Sequence, residues 1–251
     1  MVTTEIVKIA AYLGAGLSVG IASISAGVGE GITAGESAKA LARQPQSSDS
    51  LIKSMLISQA VTETGAIFSL VVALLLLFGG SLEMLTSVGW VKAATMLGAG
   101  LAIGMGSMGP GFGSGYAGAQ ALKAIGRNPK HSNIITSNML VGQALAQTDA
   151  IFALVVSLLL IYSVPMPEAS ATASHLVMKS IAILGSGIAI GIGTFGPGAA
   201  IGFVAGKAND SLGRFPQNRG IIMRTMFLGA AVSESTALYA LVISFLLIFA
   251  T

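Results

Sequence analysis

Cysteine is absent from this chain of 251 residues. Disulfides and thiolate metal sites are thereby excluded. Charge is scarce: 9% of residues are Asp, Glu, Lys or Arg, against about 25% in soluble globular domains. Aromatic residues make up 6%, and there is a single tryptophan. Too few polar side chains remain to clothe a water-facing surface. What is present points the same way, because 53% of the residues are hydrophobic and the mean hydropathy is +0.83. Such a chain belongs in a bilayer. The formal charge of +3 calls for no nucleic-acid partner, since the placement of the basic residues accounts for it. The N-terminus lacks a basic stretch followed by a short apolar core and cleavage site, so no cleaved signal peptide is expected.

Glycine is abundant, at 33 residues, and concentrated in three similar stretches: LGAGLSVGIASISAGVGEG, LGAGLAIGMGSMGPGFGSG and LGSGIAIGIGTFGPGAAIG. A short basic loop also recurs, as ARQPQ, GRNPK and GRFPQ, with its arginine at Arg43, Arg127 and Arg214. Seventeen residues before each arginine stand Ala26, Pro110 and Pro197; twenty residues after it stand Glu63, Gln147 and Glu234. Both spacings hold in all three copies without a gap. The chain is a tandem triplication with a period of about 85 residues.

Each copy has two apolar segments long enough to cross the hydrocarbon core, which takes about 20 residues. The pattern predicts six helices, over 6–43, 51–79, 91–127, 134–162, 176–213 and 219–249. The expected fold is all-α: six transmembrane helices in three tandem hairpins, 1–87, 88–174 and 175–251. A membrane β-barrel would need alternating segments of about ten residues, which these unbroken apolar runs do not provide. Orientation follows from lysine and arginine. Lys39, Arg43, Lys53, Lys123, Arg127, Lys130, Lys207, Arg214, Arg219 and Arg224 flank the loops inside the hairpins, ten of the 13 basic residues. Only Lys8, Lys92 and Lys179 lie on the other side. The hairpin loops are therefore expected in the cytoplasm and both termini outside, with a bacterial plasma membrane as the expected location.

Small residues let membrane helices approach closely. In GLAIGMGSMGPGFGSG, glycine recurs at steps of two, three and four, so more than one helix face is smooth. That suits a crowded inner ring better than a simple pair built on Gly100–Gly104 or Gly187–Gly191. GMGSMG and GIGTFG fit G-x-G-x-x-G, but they lie inside a membrane span and not in a βαβ unit. No G-x-x-x-x-G-K-[ST] loop is present, and the chain is expected not to bind ATP itself. Pro110 and Pro197 fall in mid-span, where each can bend its helix; the first copy, with Ala26, should be straighter.

Four carboxylates fall at membrane depth: Glu30, Glu63, Asp149 and Glu234. An ionisable group there costs about 2.5–3.5 kcal/mol on insertion scales and is a functional candidate by default. A hydroxyl follows each outer-helix position: Thr64 after Glu63, Thr148 after Gln147, Ser235 after Glu234. Carboxylate and hydroxyl oxygens are hard donors that suit an alkali cation; a proton needs only the carboxylate and a partner. Alternatively, the hydroxyls bond back to a carbonyl one turn earlier.

With GEG…ARQP…SQAVTETGAIFSLVVALLLLF and GPG…GRFP…LGAAVSESTALYALVISFLLIFA, the chain resembles the proteolipid, or c-ring component, of rotary ATP synthases. The resemblance covers nearly the whole chain, three times over. The R-Q/N-P loop is closer to the F-type, whereas fused hairpins are more familiar in vacuolar and archaeal relatives. The resemblance implies a homo-oligomeric ring of identical chains, with Gly-rich helices inside and carboxylate-bearing helices outside. Each acid would bind H+ or Na+ and be discharged by an arginine of the neighbouring stator. The central stalk would contact the loops, at Arg43, Gln44, Pro45, Arg127, Asn128, Pro129, Arg214 and Pro216. No cofactor is implied beyond the transported ion, and the chain itself would be non-catalytic. The family's Na+ form has Glu-Ser or Glu-Thr, a tyrosine five residues on, and an inner-helix glutamine. Glu63-Thr64, Glu234-Ser235 and Tyr239 match, while Phe68 and Phe152 do not. The inner position, 33 residues before the acid, holds Glu30, Ser114 and Ile201, so the glutamine is missing and both ions stay open.

Gln147 replaces the acid of the second copy, with Asp149 two residues on. Two residues turn a helix by about 200°, so Asp149 points away from the direction of Glu63. It is a displaced working carboxylate, a protonated packing residue or a contributor to the adjacent hairpin's site. The base count is two ions per chain, and three if Asp149 works. A neutralised carboxylate can face lipid and a bare one cannot, so a ring of such sites turns only when loaded. The rival reading is a stand-alone secondary cation transporter or channel, although known transporter repeats often run inverted; a structural proteolipid without ion flux is the third.

Overall fold

The computed structural model describes residues 2–79, 88–168 and 170–250, the side chains of residues 2–4 excepted. The boundary expected at residue 87 lies outside the described residues. Nine α-helices and three short 3-10 turns occur among them, and no strand. The helices are α1 (Val2–Arg43), α2 (Ser48–Thr62), α3 (Thr64–Phe78), α4 (Gly89–Gly106), α5 (Met108–Arg127), α6 (Ser132–Tyr162), α7 (Ala173–Gly193), α8 (Phe195–Arg214) and α9 (Arg219–Phe249). Joined end to end where one residue separates them, they make six membrane-length rods.

The proline pattern explains where the rods stop and bend. In each loop the residue before proline leaves the helical region: Gln44, Asn128 and Phe215 have φ of −137°, −139° and −133°. The proline ring disfavours the helical conformation there, then starts a 3-10 turn that leads into the next helix. In mid-span, Pro110 and Pro197 lack an N–H and crowd the carbonyl four residues back. Those carbonyls belong to Gly106 and Gly193, where α4 and α7 end. With Ala26 at the matching position, α1 runs unbroken. One interruption was not expected. The second rod breaks at Glu63, two residues before Gly65, whose carbonyl accepts the hydroxyls of Ser69 and Ser107 at 3.0 Å each.

The rods form two layers. α1, α4–α5 and α7–α8 stand side by side in chain order as an inner row. α2–α3, α6 and α9 form the outer layer, and the first two pack on their own inner rod and on that of the following hairpin. Backbone meets backbone within the inner row. A Cβ on Gly100 would collide with Gly14, one on Gly115 with Gly29, and one on Gly202 with Gly113. The middle rod is pressed from both sides, which a single GxxxG pair does not require. The half of the core remote from the loops contains Val72, Ile103, Val156 and Ile183, and the loop-side half Leu51, Leu122, Met139 and Leu212.

A repeated lysine closes the end remote from the loops. Lys92 and Lys179, 5% and 4% exposed, donate to Ile161 O at 3.1 Å and Ile248 O at 2.8 Å. These carbonyls are in the last turns of α6 and α9, where the helix offers them no partner. Lys8, at the same repeat position, is exposed.

The glycine contacts lead to a paired expectation. Gly115→Val overpacks α5 against α1 by about 1–3 kcal/mol. That corresponds to a fall of several degrees in the melting temperature of the isolated chain in detergent, at about 2–4 °C per kcal/mol. Gly31→Val, at the equivalent position of α1, meets open space and leaves the isolated chain unchanged. Equal losses in the two variants would contradict the packing described.

Candidate functional site

The outer helices carry the acids, and their register against the inner row fixes what each acid meets. Gln147 is buried on α6. Its Nε2 donates to Ser114 Oγ on α5 and to Val61 O on α2, both at 3.1 Å. Ser114 stands 33 residues before Gln147, so the inner-helix position read from the sequence does face the outer acid position. One turn earlier, Gln143 Nε2 donates to Ser58 Oγ at 2.7 Å and Ser114 O at 2.9 Å. Between hairpins 1 and 2 the site is therefore occupied by two amides. Gln143 was not singled out from the sequence, although Gln59 and Gln143 hold the same repeat position four residues before the acid.

Between hairpins 2 and 3 the acid is present. Glu234 on α9 is half-buried, and its Oε1 accepts the hydroxyl of Thr148 at 2.7 Å. Thr148 shares that hydrogen with Leu145 O at 2.6 Å. Asp149 is 0% exposed, and neither of its carboxylate oxygens has a hydrogen-bond partner among the described residues. It is close enough to Glu234 for the two charges to interact. Ile201, buried, fills the inner-helix position.

Hairpin 1 presents its acid differently. Glu63 is exposed, and among the described residues nothing hydrogen-bonds its carboxylate. Glu30 on α1 is near enough for its charge to interact with that of Glu63, and Gln59 Nε2 reaches the Glu30 carbonyl at 3.4 Å. Tyr239, 67% exposed, lies on the open flank of α9.

The hydroxyls do not serve the acids beside them in sequence. Thr64 bonds back to Ala60 O at 3.4 Å and Ser235 to Val232 O at 2.7 Å. Consecutive residues diverge by about 100° around a helix, and Thr148, the residue after Gln147, reaches the acid of the next hairpin instead. Only Thr148 has that next hairpin's acid within the chain.

At the loop end, Arg127 pairs with Asp210 of the next hairpin at 2.5 Å, and Arg214 pairs with the same carboxylate at 3.0 Å. Arg43, Gln44, Pro45, Asn128, Pro129 and Pro216 surround the three matching turns. The site positions and these turns lie at opposite ends of the loop-side half of each hairpin.

The pattern of one family, the C subunit of ATP synthase, matches at 13–76, 97–160 and 184–247. Each match begins in the inner rod and ends in the outer one. The K subunit of the A-type ATP synthase of Methanocaldococcus jannaschii is 30% identical over 237 residues, 94% of both chains. The ATP synthase c subunit of Natranaerobius thermophilus is 53% identical over 75 residues, 30% of this chain and 85% of its own. That of Alkaliphilus oremlandii is 46% identical over 78 residues, 31% of this chain and 88% of its own. Three matches spanning most of the sequence, and a relative similar from end to end, establish that the chain belongs to the c-subunit family of ATP synthases.

Proposed function

We propose that the chain is the ion-carrying rotor subunit of a rotary ATP synthase or ATPase. The observation that carries this reading is the placement of Glu63 and Glu234 at one repeat position on the outer layer, midway along apolar helices. A carboxylate there is tolerated against lipid only when a cation cancels its charge. A loaded site can therefore travel through the bilayer, and an empty one is held where water or a fixed positive charge faces it. Each charge crossing 100 mV contributes about 2.3 kcal/mol, so several ions together reach the scale of ATP synthesis. The stator's arginine supplies the unloading charge in this scheme, and the hairpin loops grip the central stalk.

Ring assembly from identical chains has support in the inner row. On α1, Gly16, Gly20, Gly31 and Gly35 face open space. Their counterparts Gly100, Gly104, Gly115 and Gly187, Gly191, Gly202, Gly206 are pressed against the preceding hairpin. The far flank of α7–α8 is left bare at Gly196. One chain's last hairpin thus fits the next chain's first, by the contact already used twice within the chain. Such a head-to-tail interface closes into a ring when its rotation permits.

The ion count follows from the sites. Gln147 donates hydrogen where a loaded acid would hold its ion, and an amide cannot discharge. Each chain then exchanges two ions, at Glu63 and Glu234, with Thr148, Ser235, Thr64, Tyr239, Glu30 and Asp149 as their surroundings. Fewer ions per hairpin suits ATP-driven pumping or a steep ion gradient. The basic loops orient the hairpins with these turns in the cytoplasm of a bacterial cell.

Replacing both Glu63 and Glu234 by Gln should abolish ion transport coupled to ATP in reconstituted vesicles; coupled transport that survives the double change would remove the basis of this reading. Carbodiimide labelling followed by peptide mass analysis should modify these two residues. Protection by Na+ identifies sodium as the ion, and indifference to Na+ identifies the proton. For orientation, the cysteine-free chain permits a single Gln46→Cys, which an impermeant maleimide should label only from the cytoplasmic side.

A further inference from the structure

Consecutive hairpins are related by one repeated step. A Cβ on Gly100 would meet Gly14 O, and a Cβ on Gly187 would meet Gly98 O. Gly14 and Gly98 hold one repeat position, Gly100 and Gly187 another. The same holds nearer the loops, where Gly115 lies against Gly29 and Gly202 against Gly113. Contacts this close, reproduced at two levels, fix both the spacing and the angle between neighbouring rods. Each hairpin therefore takes up an equal share of the row.

The ionisable groups do not follow that step. Glu63 and Glu234 stand on the first and third hairpins, and Gln147 on the second. Gln147 is bonded into the row. Its Nε2 donates to Val61 O and Ser114 Oγ, and Gln143 Nε2 donates to Ser58 Oγ and Ser114 O. These bonds hold neutral amides at membrane depth without an ion. Asp149, the remaining acid of hairpin 2, is fully buried and close enough to Glu234 for the two charges to interact.

We infer that the ion sites are unevenly spaced around the ring, so that the rotor advances in alternating short and long steps. This rests on the ion-carrying role and the head-to-tail ring proposed above. Within one chain, Glu63 and Glu234 are two hairpins apart, with the amide-filled hairpin between them. At a chain boundary, hairpin 3 adjoins hairpin 1 of the next chain, and their acids are one hairpin apart. The acids thus come in close pairs that straddle the boundaries, and one silent hairpin separates each pair from the next. A neutral, hydrogen-bonded amide costs far less at membrane depth than a bare carboxylate, so the silent hairpin crosses the bilayer with nothing to bind or release. Each ion delivers the same energy, but over unequal arcs, and the drive is weakest while hairpin 2 passes.

The test is single-molecule rotation of the whole ATP synthase in lipid nanodiscs, with a gold nanorod on the ring to record the angles at which it pauses. Pauses also seen with the soluble catalytic part alone are set aside, and the native mass of the same rings gives the number of chains. The wild-type ring should pause twice per chain, with one gap about twice as wide as the other, as a closed ring of equal hairpins requires. In Gln147→Glu rings the wide gap should be divided, leaving three equal gaps per chain. Evenly spaced pauses in the wild type overturn the inference, whether one, two or three per chain, and three would assign an exchange of its own to Asp149. Gln147→Glu rings that turn with the wide gap intact overturn it as well; where that variant does not assemble, the wild-type gaps decide. A ring that stays still while the complex hydrolyses ATP overturns the rotor reading itself, and chains whose native mass never exceeds that of one copy overturn the assembly.

Discussion

Inner rods packed backbone to backbone hold everything else in register. Where Gly100 meets Gly14 and Gly202 meets Gly113, no side chain separates neighbouring helices. Contacts this close leave little freedom to slide, because any displacement drives a carbonyl into a Cα. The depth of each hairpin in the membrane is thereby fixed against the next. The outer helices inherit that register through the short proline-led turns, so positions 147 and 234 meet the same level of the preceding hairpin. A loosely packed row would leave the acids at scattered depths.

On this scaffold the three copies have diverged in chemistry and kept their geometry. Hairpin 2 fills its site with amides: Gln143 and Gln147 supply donors to Ser58, Ser114 and Val61. Their donors are thus satisfied without a charge, while Gln143 Oε1 and Gln147 Oε1 find no hydrogen-bond partner among the described residues. Hairpin 3 keeps its acid and draws a hydroxyl from hairpin 2, together with the proximity of the fully buried Asp149. Hairpin 1 keeps its acid, adds a second one at Glu30, and turns both toward a boundary that the single chain leaves open. Triplication allows such specialisation, since each copy occupies a fixed place in the order and can be altered independently of the other two.

The relatives divide along the same line. Similarity to the c subunits of Natranaerobius thermophilus and Alkaliphilus oremlandii is higher and extends over about one hairpin of this chain, whereas similarity to the K subunit of Methanocaldococcus jannaschii is lower but runs nearly the length of the chain. The residues of the individual hairpin and its fused architecture thus find parallels in different relatives.

The triplication, the six spans and the level of the acids are legible in the order of residues, because they are regularities along one dimension. The 33-residue step from Ser114 to Gln147, read from spacing alone, is closed in space by a hydrogen bond. Proline at 110 and 197, and alanine at 26, foretold which inner rods are interrupted. The partners across hairpins emerge only once the helices stand side by side. Thr148 serves Glu234, 86 residues away, and the hydroxyls of Thr64 and Ser235 turn away from the acids next to them, because adjacent residues on a helix face different neighbours. Likewise, Lys92 and Lys179 looked like boundary charges, yet their ammonium groups lie inside and close the ends of α6 and α9. Which side chain meets which depends on the angle at which a helix presents it and on the helix standing opposite, and neither is written in linear spacing.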